Sequence, residues 1–159
     1  MMQNLNNLSN CNVDILTMSS EDIDTICQLE QICFSQPWSR QSLMSSLENP
    51  ESYFIVAKLN KNIAGYAGMY TVAGQGYIYN IAVFPEFRNI GIGKNLLKHL
   101  ELYSIEKKLE FISLEVRESN KIARSMYENS GFKYMGTRKN FYKNPVENAI
   151  IMTKYLNNQ

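Results

Sequence analysis

Nothing in this sequence is long and apolar enough to cross a bilayer as a helix. Its longest strongly apolar stretch, Tyr77 to Phe84, is interrupted by Asn80 and falls far short of the roughly 20 residues that a span needs. An excess of either charge is lacking too. Sixteen Lys and Arg face 15 Asp and Glu, for a net charge of +1, too little to supply the cationic field that drives tight binding to nucleic acid or an anionic membrane. No direct nucleic-acid partner and no membrane partner is expected, and any partner must be recognised locally. Histidine occurs once. His99 has no second histidine to build a metal site with it, so no metal is expected, and its neighbours Lys98 and Glu101 place it on a polar helix flank. Cys11, Cys27 and Cys33 lie in the first quarter of the chain without Cys-x-x-Cys spacing. Reduced thiols, two of them packed in a helix, are the expected state, and none matches a nucleophile motif. Met1 to Asn12 carry no lysine or arginine and no apolar core. They resemble neither a signal peptide nor a transit peptide, so the protein is expected to be cytoplasmic, with a polar extension over 1–12.

What is present suffices for a core. Apolar residues make up 45% and aromatics 11% of 159 residues, and a chain of this size buries about two-thirds of the surface that it exposes when unfolded. One domain over 13–156 is expected. Val13 to Met18 alternates as a short strand, and Ser19 with an acid three residues on predicts a capped helix to about residue 33. Pro37 breaks it, and Ser39 caps a second helix that stops at Asn49-Pro50. Three strands follow, at 53–59, 63–72 and 77–84, joined by turns short enough to keep them antiparallel and adjacent. Leu96, Leu97, Leu100 and Ile105 then mark a helix over about 92–108. A strand at 111–116, a helix at about 119–130 stopped by Gly131, and strands at 132–138 and 149–156 complete the order β-α-α-β-β-β-α-β-α-β-β. This is a mixed α/β domain in which a helix crossover joins two strands that should lie parallel.

Between the third strand of the run and the helix at 92 sits Arg88-Asn89-Ile90-Gly91-Ile92-Gly93-Lys94. Two glycines let the backbone turn tightly and leave N–H groups unpaired ahead of a helix dipole, an arrangement suited to a phosphate or pyrophosphate; on glycine spacing alone a plain strand-to-helix loop is the equal alternative. Two better-known phosphate loops are excluded. The P-loop of nucleotide hydrolases needs glycine at 88 and Ser or Thr at 95, where Arg88 and Asn95 stand. A dinucleotide fingerprint needs a third glycine at 96, where Leu96 stands, and its strand would not belong to an antiparallel run.

What remains, Arg-x-x-Gly-x-Gly after Ile81-Ala82-Val83-Phe84-Pro85, resembles the acetyl-CoA loop of the GCN5-related N-acetyltransferases (GNAT). Leu114-Glu115-Val116-Arg117-Glu118-Ser119-Asn120 and Met126-Tyr127-Glu128-Asn129-Ser130-Gly131-Phe132 look like the second half of that family's core. Within the family the resemblance is to RimI-type ribosomal-protein N-terminal alanine acetyltransferases. It rests on Pro37-Trp38-Ser39, on Glu115 in its Leu-Glu-Val-Arg setting, and on Arg138 to Tyr142 followed by Ala149-Ile150-Ile151-Met152. Phe141 and Asn148 stand where these relatives commonly carry Tyr and Asp, in the segment expected near the acceptor.

The resemblance implies a single GNAT-like domain with the parallel pair splayed at the acetyl-CoA site, and acetyl transfer to a protein N-terminal amine, that of a small-subunit ribosomal protein beginning with alanine. An α-amine has a pKa of about 7.7 to 8.0, so a weak base acting directly or through water suffices to deprotonate it. Strand alternation sets Glu115 opposite the apolar face of Ile112, Leu114 and Val116. By position alone it is either a desolvated carboxylate or a partly exposed one paired with Arg117 or a lysine; by resemblance it is the general base. Asn120 and Tyr127, seven apart on one helix, share a face. By resemblance Asn120 bonds the pantetheine arm and Tyr127 protonates the leaving thiolate, where a helix tyrosine would otherwise be packing. The resemblance also assigns Ile81, Ala82 and Val83 to the cofactor, with an oxyanion contact from the N–H near Val83, and Arg88, Asn89, Ile90, Gly91, Ile92, Gly93 and Lys94 to its diphosphate. By resemblance Trp38 lies near the acceptor and with Tyr142 walls a slot there, where Trp38 would otherwise be a core or lid anchor and Tyr142 ordinary strand packing. A lysine or small-molecule amine as acceptor, or a non-catalytic acyl-CoA-binding module, are the competing readings.

Overall fold

A computed structural model describes residues 12–156. Apart from Asn12, the polar extension expected over 1–12, with Cys11, lies outside the described residues. The chain runs through β1 (Val13–Thr17), α1 (Ile23–Cys33), α2 (Arg40–Glu48), β2 (Ser52–Leu59), β3 (Asn62–Val72) and β4 (Gln75–Val83). It continues through α3 (Ile92–Glu106), β5 (Phe111–Arg117), α4 (Lys121–Asn129), β6 (Lys133–Tyr142) and β7 (Glu147–Tyr155). The element order is the expected one.

The helix signals act as read. The Ser19 backbone N–H donates to Asp22 Oδ2 at 2.9 Å, closing the capping box ahead of α1. Ser39 Oγ accepts from the Ser42 N–H at 3.1 Å at the start of α2, a contact of the kind worth about 1 kcal/mol. The helix expected from about 119 begins at Lys121, because Asn120 is its cap and not its second residue: Asn120 Oδ1 accepts from the Ala123 N–H at 3.2 Å.

All seven strands form one sheet in the order β1-β2-β3-β4-β5-β7-β6. The pairs β1/β2, β2/β3 and β3/β4 are antiparallel, and α3 carries the chain across to the one parallel pair, β4/β5. The last strand inserts between β5 and β6, antiparallel to both. One face packs Ile55, Met69 and Ile112 against Leu96, Leu97 and Leu100 of α3. The other packs Phe54, Val56 and Tyr66 against Ile23, Ile26 and Leu29 of α1 and Leu43 of α2. Both faces being covered, the middle of the sheet is largely apolar on each side.

Candidate active site

Strands β4 and β5 pair at two positions only, Gly76 with Ile112 and Tyr77 with Ser113. Just beyond, the β3/β4 register shifts: Met69 faces Ile78 and Gly68 faces Asn80, so Tyr79 is an extra residue on β4. Such a bulge bends its strand and increases the local twist, and β4 parts from β5 where the bulge begins. Phe54 fills the space beside the bulge, where a Cβ on Gly68 would collide with its ring. Along the opened gap lies a cavity of about 910 Å³.

This cavity gathers six of the residues picked from sequence: Glu115, Tyr127, Asn120, Trp38, Tyr142 and Ile81 all line it. Glu115 projects from β5 while its neighbours Leu114 and Val116 are buried on the other face. Its partner is not Arg117 but Arg138 of β6, with Nε 3.3 Å from Oε1. Arg117 donates instead to the carbonyls of Lys143 at 3.0 Å and Pro145 at 3.1 Å. Its guanidinium lies 4.4 Å from the centre of the Tyr142 ring, fixing that ring in the cavity wall. Burial, and then the negative charge of Glu115, push the Tyr142 hydroxyl up to about 12, against the pull of Arg117. Tyr127 is buried on α4, 7% exposed. Burial first, then Tyr142, drives its pKa well above the ordinary phenol value, so it keeps its proton at neutral pH and is a donor, never a base. Opposite, the Trp38 ring meets Tyr79 edge-on at 4.9 Å.

The glycine turn lies beside the cavity and does not line it. Gly91 sits at φ +87°, a left-handed conformation natural to glycine, and caps α3. The first bond ahead of the helix body runs from the Asn95 N–H to the Gly91 carbonyl at 3.0 Å, so the N–H groups of Ile92, Gly93 and Lys94 have no acceptor within the helix. Gly93 brings this helix start against Val83 of β4 and Met126 of α4. Ile92 is buried, whereas Asn89, Ile90 and Lys94 are exposed. The guanidinium of Arg88 folds back, donating from Nε to the Val83 carbonyl at 3.0 Å and from Nη2 to Cys33 Sγ at 3.3 Å. The Phe84 N–H bonds the Ala64 carbonyl across the ladder at 2.8 Å; by strand alternation the Val83 N–H faces the opposite edge, the β4/β5 gap. Ala82 packs with Phe54 and Tyr66 in the sheet interior and does not line the cavity.

The departures from the family pattern sit differently from each other. Phe141 lines the cavity. Asn148 holds the β6/β7 hairpin together, accepting from the Asn140 N–H at 3.0 Å and donating to Glu118 at 3.2 Å. His99 is half-buried, its Nδ1 2.9 Å from the Asn95 carbonyl. Cys27 and Cys33 are free thiols on α1. Among the described residues no group of three or more His, Cys, Asp or Glu is arranged to hold a metal ion, and no helix is long and apolar enough to cross a membrane.

Sequence reasoning missed a buried carboxylate under the cavity. Glu30 of α1 is 0% exposed and receives three donors. These are the Trp38 N–H on Oε2 at 2.9 Å, Asn80 Nδ2 on Oε1 at 2.9 Å, and the Tyr66 hydroxyl on Oε1. Burial pushes its pKa up while these three donors hold it down. The signal available was faint: an acid on the apolar face of a helical repeat, with no partner nearby in sequence.

Comparisons with known proteins agree with this fold. Residues 23–132 match the model of the acetyltransferase (GNAT) family. A Haemophilus influenzae protein named [ribosomal protein bS18]-alanine N-acetyltransferase is 37% identical over 140 residues, 85% of this chain and 93% of that protein. The crystal structure of the ribosomal-protein-S18-alanine N-acetyltransferase from Escherichia coli superposes with a TM-score of 0.83 at 28% identity, over 93% of this chain and 99% of that one. Arabidopsis thaliana NAA60, solved in complex with acetyl-CoA, shares the fold with a TM-score of 0.86 at 14% identity, over 92% of this chain and 99% of that one.

Proposed function

The chain belongs to the GNAT family of acetyltransferases, and we propose that it moves the acetyl group of acetyl-CoA to the N-terminal alanine of a small-subunit ribosomal protein, in the cytoplasm, through a unit spanning 13–156. One observation carries this reading. A carboxylate and a proton-bearing phenol, Glu115 and Tyr127, face one cavity in the gap between β4 and β5, beside a helix start whose first amides have no acceptor within the helix. Similarity to a bS18-alanine N-acetyltransferase over 85% of this chain and 93% of that protein supports the choice of acceptor.

The parts fit an acyl-CoA. The N–H groups of residues 92–94, with the positive end of α3 behind them, would hold the diphosphate, and Lys94 adds charge. The backbone of Ile81 and Val83 borders the gap where a pantetheine arm would lie, and Asn120 stands at the mouth of α4. Glu115 takes a proton from the incoming ammonium, directly or through a water, because only the neutral amine has the lone pair that attacks the thioester. The Val83 N–H stabilises the oxyanion. As the C–S bond breaks, Tyr127 gives its proton to the leaving thiolate, and the nitrogen, still positively charged after its attack, releases its second proton through water to the tyrosinate, leaving CoA, an N-acetylated peptide and a restored phenol. Trp38 and Tyr142 wall a slot that admits an extended N-terminus with a small first side chain.

The test in cells is mass spectrometry of ribosomal proteins with and without the gene. Loss of one acetyl group from an N-terminal alanine supports the reading; unchanged ribosomal proteins, with an acetyl group lost elsewhere, refute the acceptor.

A further inference from the structure

Asn80 joins the buried Glu30 to the cavity. It lines the cavity from β4, one residue past the bulge, and its Nδ2 donates to Glu30 Oε1 at 2.9 Å and to the Tyr66 hydroxyl oxygen at 3.3 Å. The amide orientation is fixed by chemistry. A carboxylate has no proton to donate, so nitrogen, not oxygen, must face Glu30. The Tyr66 proton is spent on the same carboxylate, so that hydroxyl oxygen lies beside Glu30 Oε1 and the two acceptors share one amide hydrogen of Asn80. The nitrogen is thereby held on the Glu30 side, and Oδ1 is left without a partner among the described residues. A single acceptor whose orientation cannot reverse is what an amine needs to be aimed, since one of its hydrogens can be held while the other leaves to a base.

We infer that Asn80 Oδ1 receives an N–H of the incoming amine and that Glu30, through Tyr66 and Asn80, is the positioning residue that keeps this oxygen turned toward the cavity. The same carboxylate holds the Trp38 N–H, so one buried charge sets an acceptor atom and the aromatic wall beside it. The inference rests on the acetyltransferase reading but on no particular amine.

The test is a double-mutant cycle in the full chain, with KM and kcat measured for whichever amine the wild type acetylates. Asn80→Ala removes the oxygen and is expected to lower kcat/KM for the amine about tenfold or more with KM for acetyl-CoA unchanged. Glu30→Gln offers Asn80 an amide hydrogen, lets its carboxamide reverse, and should cost a similar factor. Added to Asn80→Ala it should cost nothing more in amine kcat/KM. Additive losses, or an Asn80→Ala enzyme with wild-type amine kinetics, overturn the inference. Tyr66→Phe, which removes only a hydroxyl, repeats the cycle should Glu30→Gln not fold. If the wild type acetylates a lysine or polyamine but no α-amine, the proposed acceptor fails while this cycle still runs on that amine. Transfer to no amine at all removes both.

Discussion

Glu115 on β5 and Arg138 on β6 meet at 3.3 Å across the intervening strand β7. A structural ion pair and a catalytic carboxylate make different demands on this contact. Arg138 is mostly exposed, and an exposed pair contributes at most about 1 kcal/mol. Arg138→Ala is therefore expected to leave thermal stability nearly unchanged and to keep turnover within about tenfold of wild type, while Glu115→Gln lowers turnover about 10²-fold or more. Equal and small effects of both in steady-state kinetics would return Glu115 to the role of a surface partner.

Tyr127→Phe removes the proposed acid without emptying its site, since the ring keeps its packing against Phe132 at 5.8 Å. Turnover is expected to fall about 10²-fold with acetyl-CoA affinity little changed. Calorimetry with acetyl-CoA and initial rates on the same preparation check this. A loss of affinity matching the loss of rate would mark Tyr127 as a packing residue.

Asn120 has two candidate duties, and they separate by atom. Its Oδ1 caps α4, and aspartate caps as well. Asn120→Asp should keep the melting temperature and raise KM for acetyl-CoA if the side-chain amide donates to the cofactor, whereas Asn120→Ala should also lose about 1 kcal/mol of stability. An Asn120→Asp enzyme with normal acetyl-CoA kinetics leaves the residue a cap.

Stability should decline on the alkaline side. Tyr66 and Tyr127 keep their protons in the folded state to well above the ordinary value because burial disfavours the phenolate, while the unfolded chain releases them near pH 10. The unfolded state then binds fewer protons, so stability present below about pH 10 is lost above it, by up to roughly 1.4 kcal/mol per pH unit for each such group. Denaturant melts followed by tyrosinate absorbance should show the midpoint falling above pH 10 and less steeply in Tyr66→Phe. A midpoint that rises with pH there would contradict the burial.

The readable part of the site was the part written in local periodicity and turn chemistry. Alternation set Glu115 opposite its strand's apolar face and a seven-residue spacing put Tyr127 on the face of Asn120, but their roles came from resemblance to the family's motifs; the glycines before α3 were read from turn chemistry, and Gly91 there takes a positive φ. The unread part was written in pairings. Tyr77 to Phe84 reads as one unbroken strand, and only the register against β3 reveals that Tyr79 is an extra residue and that the gap opens there. Arg117, two residues away, was the natural partner for Glu115; the actual partner, Arg138, comes within reach only because β7 inserts between β5 and β6. Glu30 finds Tyr66 and Asn80 at separations of 36 and 50 residues, beyond any helical or strand repeat.

The most direct test uses purified protein, acetyl-CoA and two forms of one lysine-free peptide beginning with alanine, its α-amine free or blocked, with products read by mass spectrometry. One acetyl group added at the N-terminus of the free form, none on the blocked form, and abolition by Glu115→Gln are the expected results. No transfer to the free form, alongside acetylation of a lysine or polyamine in the same assay, would contradict the proposed reaction.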